Sequence, residues 1–180
     1  EIRPRDWSSD VCSSDLLLRH AKAAVDSGGG DVERPLTERG QRDATRMGQY
    51  LASEGLVPDT IVFSSARRTR ETMEAVRHQL STHPVLYMEP RLYLAEAETL
   101  ADHLRRTPSS TKVLLAIAHN PGLAELALQL GGARNPPLQA QIRQHYPTCS
   151  LAVIDFDCDW HDIKAGDGFL SRFTILPKAD

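Results

Sequence analysis

Three observations predict an α/β fold, a three-layer α/β/α sandwich around a mostly parallel sheet. Apolar runs of strand length alternate with stretches of helical period from about residue 16 to residue 176. The clearest run, "KVLLAIAH" (112–119), is apolar throughout, as a strand buried on both faces should be. No internal repeat, linker or low-complexity boundary breaks the pattern, so one domain accounts for the 180 residues, a length that can bury a sizeable core.

After "LLL" (16–18), the end of a first buried strand, "SGGGD" (27–31) is a glycine-punctuated loop. A helix is predicted over "PLTERGQRDATRMGQYLASEGL", with Thr37 as N-cap, Ala44, Met47 and Leu51 on one face, and Gly55 at its end. "TIVFSS" (60–65) is a second strand and "ARRTRETMEAVRHQL" (66–80) the helix after it. "VLYME" (85–89) is a third strand, followed by a helix near Thr99–Arg106. The long apolar strand runs into "NPGLAELALQL", where Pro121 suits a first helical position and Gly131-Gly132 a C-terminal stop. "SLAVIDFD" (150–157) and "FLSRFTIL" (169–176) close the sheet.

The N-terminus stands apart. "RDWSSDVCSSDL" has neither strand alternation nor helical period, and it lacks the apolar core of a signal peptide. It closely resembles the conceptual translation of a sequencing-library adapter. Residues 1–16 are therefore assigned to a non-native segment and residues 17–180 to the domain, so Trp7 and Cys12 carry no functional weight. On this reading only "LLL" anchors the first strand.

Composition excludes several classes. The 41% hydrophobic and 25% charged content is that of an ordinary globular protein. A net charge of −3 gives no electrostatic case for nucleic-acid binding, so any anion site must be a local cluster. No apolar run reaches the 18 or so residues of a membrane span, so no membrane partner is expected. Three cysteines, Cys12, Cys149 and Cys158, are too few for a disulfide framework and show no CxxC spacing. They favour a reducing, cytoplasmic location and offer no structural zinc site.

Ligands of open α/β sheets sit at the carboxyl ends of the strands. Arg19-His20, "SSARRTR" and "HNPG" all fall at such ends. Histidines and arginines without a Cys or acid cluster point to a phosphate pocket and to no metal or cofactor, because guanidinium matches phosphate oxygens bidentately and stays charged. Asn120-Pro121-Gly122 adds the N–H groups of a helix N-terminus.

"LLLRHAKA", "ERPLTERG", "SSARRTRET" and "AHNPG", in this order, resemble the histidine phosphatase (phosphoglycerate mutase-like) superfamily, and within it the short SixA-type phosphohistidine phosphatases. The similarity runs from about Leu16 to the closing "FTILP". It implies a phosphoglycerate mutase-like sheet and His20 as a nucleophile that forms a phosphohistidine intermediate. Arg19, Arg34 and Arg68 would bind the phosphoryl oxygens with Asn120 beside them, Thr69 and Thr72 would follow Arg68, and His119 would donate to the transferring group. Phosphate, sulfate or vanadate is expected in such a pocket. The substrate is expected to be phosphohistidine on a protein, or alternatively a small phosphorylated molecule. A phosphate-binding module without catalysis is the reading from another class. Members acting on esters usually bring an acid for the leaving alcohol, for which "YLAEAETL" offers only Glu96 and Glu98. Imidazole leaves far more readily than an alkoxide, so a weak acid signature fits phosphohistidine. Cys149 and the remaining histidines, His78, His83, His103, His145 and His161, read as structural or surface residues.

Overall fold

The computed structural model describes residues 12–25 and 28–179. Six strands, β1 (Ser13–Arg19), β2 (Thr60–Phe63), β3 (Val85–Met88), β4 (Val113–Ala118), β5 (Leu151–Phe156) and β6 (Phe169–Thr174), form one sheet in the order β3-β2-β4-β1-β5-β6. β5 alone runs against the others, since it pairs antiparallel with both β1 and β6. The helices are α1 (Glu38–Ser53), α2 (Arg67–Arg77), α3 (Ala97–Arg105), α4 (Gly122–Gly131) and α5 (Pro136–Gln144).

The strand period sorts the core into two layers. Leu16 and Leu18 point with Ile61, Leu115 and Ile117 towards α1 and α2. Leu17 points with Val62, Leu114 and Ala116 towards α3, α4 and α5. The three leucines are fully buried, each contributing about 1.5–3 kcal/mol. This is the three-layer sandwich the alternation predicts. Thr37 caps α1 by accepting from Gly40 N at 3.0 Å, and Gly55 follows the helix at φ 67°.

Several boundaries differ from the expectation. β1 has seven residues, not three: Ser13, Ser14 and Asp15 join its ladder between β4 and β5. The ladder uses backbone groups, and strands on both sides offer them partners whatever the side chains are. Residues 1–11, the rest of the adapter-like stretch, lie outside the described residues. Pro121 is the residue before α4 and not its first, preceded by a cis Asn120–Pro121 bond. α5 has no counterpart in the sequence reading: "PPLQAQIRQ" buries only Gln139 and Ile142, too few apolar positions to reveal a period. β3 is exposed along its length because it is an edge strand.

Candidate active site

Register places the site. β1 and β4 pair with Arg19 opposite Ala118, and β2 pairs with β4 with Phe63 opposite Ile117. The next residue on each strand, His20, His119 and Ser64, therefore emerges in one row at the sheet's carboxyl edge. Gly40 lets α1 press against this edge, since a β-carbon there would stand 2.1 Å from the Lys22 carbonyl oxygen. The pocket, about 330 Å³, is lined by Arg19, His20, Arg34, Arg68, His119 and Asn120, with Asp31 among them.

His20 is 7% exposed. Its Nδ1 lies 2.8 Å from the Ala21 carbonyl oxygen, which can only accept, so Nδ1 carries the proton and Nε2 keeps its lone pair. Nε2 receives a bond from Arg68 Nε at 3.3 Å. Thr72 holds the turn: its hydroxyl accepts from Ala21 N at 3.1 Å and donates to Arg68 O at 2.7 Å. Cys149 N contacts the carbonyls of both Arg19 and His20 at 3.1 Å. Burial pushes the Cys149 thiol up to about 12, which leaves it a structural residue.

Arg68, 2% exposed in the first turn of α2, is the hub. Beyond His20 it donates from Nη1 to Asp31 O at 2.7 Å and from Nη2 to Asp31 Oδ2 at 3.0 Å, with His119 Nδ1 3.4 Å away. Arg34 Nε lies 3.2 Å from Asp31 Oδ1, and the Tyr93 hydroxyl donates to Asp31 Oδ2. Arg19 and Asn120 both donate to Tyr146 O, at 2.8 and 2.9 Å. Arg19 Nε and Asn120 Oδ1 are buried without a partner.

In the unliganded pocket a chain of hydroxyls sets the His119 tautomer. Thr69 gives its hydroxyl hydrogen to a backbone carbonyl, Ala66 O at 2.7 Å or Ser64 O at 2.8 Å, and so accepts from Ser64 Oγ at 2.9 Å. Ser64 Oγ then accepts from His119 Nε2 at 2.6 Å. The nitrogen facing Arg68 is therefore the unprotonated one. Glu96 and Glu98 are not brought to the pocket. Glu96 is an exposed residue at the start of α3, with no side-chain capping bond, and Glu98 pairs with Arg105 at 2.9 Å. Sequence reasoning missed Ser64, Asp31 and Tyr93. The first two carried a signal: Ser64 is the residue after an apolar strand, and Asp31 stands three residues before Arg34.

Burial drives the electrostatics. It lowers His20 to about 4, with Arg68, Arg19 and Arg34 adding to the effect and the Ala21 carbonyl opposing it. Burial, then His20 and Arg68, lower His119 to about 3. Both rings are neutral at pH 7. In an NMR titration their ring signals should stay flat from pH 8 to about pH 5.5 and move only below; a midpoint near about 6.5 for either would refute this. The unfolded chain takes up protons at these rings near about 6.5, so they also lower stability as pH falls from there towards 4. The Tyr93 hydrogen bond, then Arg68, holds Asp31 below the usual carboxylate range.

Neutral imidazoles set among fixed guanidinium groups, at the carboxyl edge of a mainly parallel sheet, are the groups that suit a phosphoryl group on an α/β scaffold. The comparisons agree with that class. Residues 16–93 match the model of the histidine phosphatase superfamily (branch 1). An uncharacterized protein of Mycobacterium tuberculosis, Rv1276c, is 31% identical over 160 residues, covering 88% of this chain and 99% of that protein. An uncharacterized chloroplastic protein of Arabidopsis thaliana is 32% identical over 172 residues, covering 89% of this chain and 75% of that one. Among solved structures, SixA from Agrobacterium tumefaciens superposes with a TM-score of 0.76 at 26% identity, over 91% of this chain and 98% of that one. The protein histidine phosphatase SixA complexed with tungstate gives a TM-score of 0.74 at 22% identity, over 89% and 95%. This chain belongs to the histidine phosphatase superfamily, and within it its likeness is to the SixA type.

Proposed function

We propose that this protein hydrolyses phosphohistidine on a protein, through a covalent phosphohistidine at His20. The observation that carries the reading is the make-up of the pocket. Among the described residues lining it, Asp31 is the one carboxylate, and Tyr93 and Arg68 hold it ionised. Such a site has a nucleophile and an anion cradle but no group to protonate an alkoxide, which suits a leaving group that needs no strong acid. The imidazole of a phosphohistidine is one, with an ordinary pKa of about 6.5.

His20 Nε2 attacks phosphorus and forms the new P–N bond while the substrate's P–N bond breaks. The substrate ring, protonated on its far nitrogen, departs as neutral imidazole and needs no proton as the bond breaks. Water then attacks the phosphoryl group on His20, inorganic phosphate leaves, and the ring returns to its Nδ1–H form, held by Ala21 O at 2.8 Å. Arg19, Arg34 and Arg68 bind the equatorial oxygens, whose charge grows in the transition state. Arg19 does so from the pocket wall that it shares with His20. His119 Nδ1 accepts from a protonated phosphoryl oxygen. Towards a dianion, the ring carries its proton on Nδ1 instead, with the Ser64 hydroxyl turned to donate to Nε2. Tungstate on the related SixA supports phosphate-like oxyanions as ligands here.

Base-quenched phosphate release from a phosphohistidine-bearing phosphotransfer domain, set against an alkyl ester such as glycerol 1-phosphate, tests the reading. The expected kcat/KM is higher on phosphohistidine by about 10²-fold or more, the range a missing general acid accounts for. Preference for the ester keeps the nucleophile and moves the substrate to a small phosphomonoester.

A further inference from the structure

Beside the phosphoryl pocket lies a second cavity, of about 270 Å³, that the mechanism does not use. It opens between the start of α1, residues 145–149 and residues 175–178 of the C-terminal segment. Arg19, Lys22, Arg39, Arg46, Lys178 and His145 surround it, against a single carboxylate, Asp43. That carboxylate is already engaged, with Oδ1 accepting from Ala179 N at 2.8 Å and Oδ2 3.7 Å from Arg39 Nε. Arg46 donates from Nη1 to Pro177 O at 2.6 Å and so fastens the C-terminal segment that forms one wall. No ion pair among the described residues engages Lys22, Arg46 or Lys178. The chain as a whole is acidic, at −3, so five fixed cations around one hollow run against the overall charge. Their mutual repulsion is relieved by an anion between them, and the apolar sides given by Ile175, Leu176 and Pro147 lessen solvent screening.

Position says which anion. Arg19, Lys22 and Thr148 line both this cavity and the phosphoryl pocket, so the two share a wall. We infer that the second cavity is an anion subsite holding another acidic group of the substrate, a carboxylate or phosphate carried next to the phosphoryl group that is transferred. For a phosphoprotein substrate that group is an Asp or Glu side chain flanking the phosphohistidine. The inference rests on the His20 pocket being the phosphoryl-transfer site.

Arg39 and Lys178 line only the second cavity, so an Arg39→Glu/Lys178→Glu double variant tests the subsite with the phosphoryl pocket left whole. The substrates are p-nitrophenyl phosphate, a phosphohistidine peptide with flanking glutamates, the same peptide with flanking alanines, and fructose 1,6-bisphosphate. KM for the glutamate peptide is expected to rise about tenfold with kcat within about twofold, while p-nitrophenyl phosphate and the alanine peptide change by less than about twofold. A rise confined to the bisphosphate keeps the subsite and makes its ligand a second phosphate. Equal changes on all substrates, or none on any, overturn it. Calorimetry with pyrophosphate reads the subsite without turnover: binding should weaken about tenfold in the double variant and in the same direction in Lys178→Gln. Unchanged pyrophosphate binding in both overturns the inference. Turnover that does not depend on His20 would instead overturn the reading beneath it and leave the calorimetric result standing.

Discussion

His20→Ala is expected to lower phosphate release from phosphohistidine by about 10⁴-fold or more, because the substitution removes the atom that forms the P–N bond. The arginines and His119 remain in the variant, so substrate binding should hold within about tenfold and the loss should fall on kcat. His20 is 7% exposed and bonded to Ala21 O, so a cavity at this position could disturb the row of strand ends. His20→Asn, close in size, separates the two effects: it should keep the parent's thermal stability and lack its activity. Rapid acid-free quenching of the parent with labelled phosphohistidine should trap a base-stable, acid-labile label, and neither variant should show it. A loss smaller than about tenfold, or a label that persists in His20→Ala, would remove His20 from the role of nucleophile.

Asp15→Val is expected to stabilise the protein by about 3 kcal/mol, raising the melting temperature by about 8 °C. Asp15 is 0% exposed in the middle of β1, between Leu114 on β4 and Ile154 on β5. Neither carboxyl oxygen has a hydrogen-bond partner. Burial pushes its pKa well above the usual carboxylate range. The unfolded chain ionises this group above about pH 3.9 while the folded chain keeps it protonated, so stability is lost as pH rises from there towards the folded pKa. Valine removes that penalty and adds apolar burial, so its advantage should grow as pH rises above about 4 in denaturant titrations. We propose that the carboxyl is a remnant of the adapter-like segment, standing where an apolar residue of the central strand belongs. His20 lies on the same strand's end, so activity at 37 °C should rise with stability. A neutral or destabilising Asp15→Val, or an advantage that does not vary with pH, would sink this account.

Much of the molecule was legible in the sequence. The apolar runs at 16–18, 60–63 and 113–118 announced buried strands because a sheet covered on both faces requires nonpolar side chains at every position. Thr37 and Gly55 marked the ends of α1 through capping chemistry that is local in the chain. The Arg19-His20 pair was visible because a charged dipeptide at the end of an apolar strand has little structural use away from a site. α5 was not legible, since it rests one face on the sheet and buries too little to show a period.

The sequence by itself determined the layer architecture, the superfamily resemblance and the residue types of the pocket, all of which depend on local period and on motifs a few residues long. Tertiary structure alone decided the rest. It set the register that brings His20, Ser64 and His119 into one row, and the route by which Thr69 and Ser64 choose the His119 tautomer. It also placed Asp31 and Tyr93 on Arg68, and left Glu96 and Glu98 out on α3. The physical reason is distance along the chain. Hydrogen bonds and ion pairs between residues 37 to 99 positions apart are fixed by how strands and helices pack, and no local pattern encodes them.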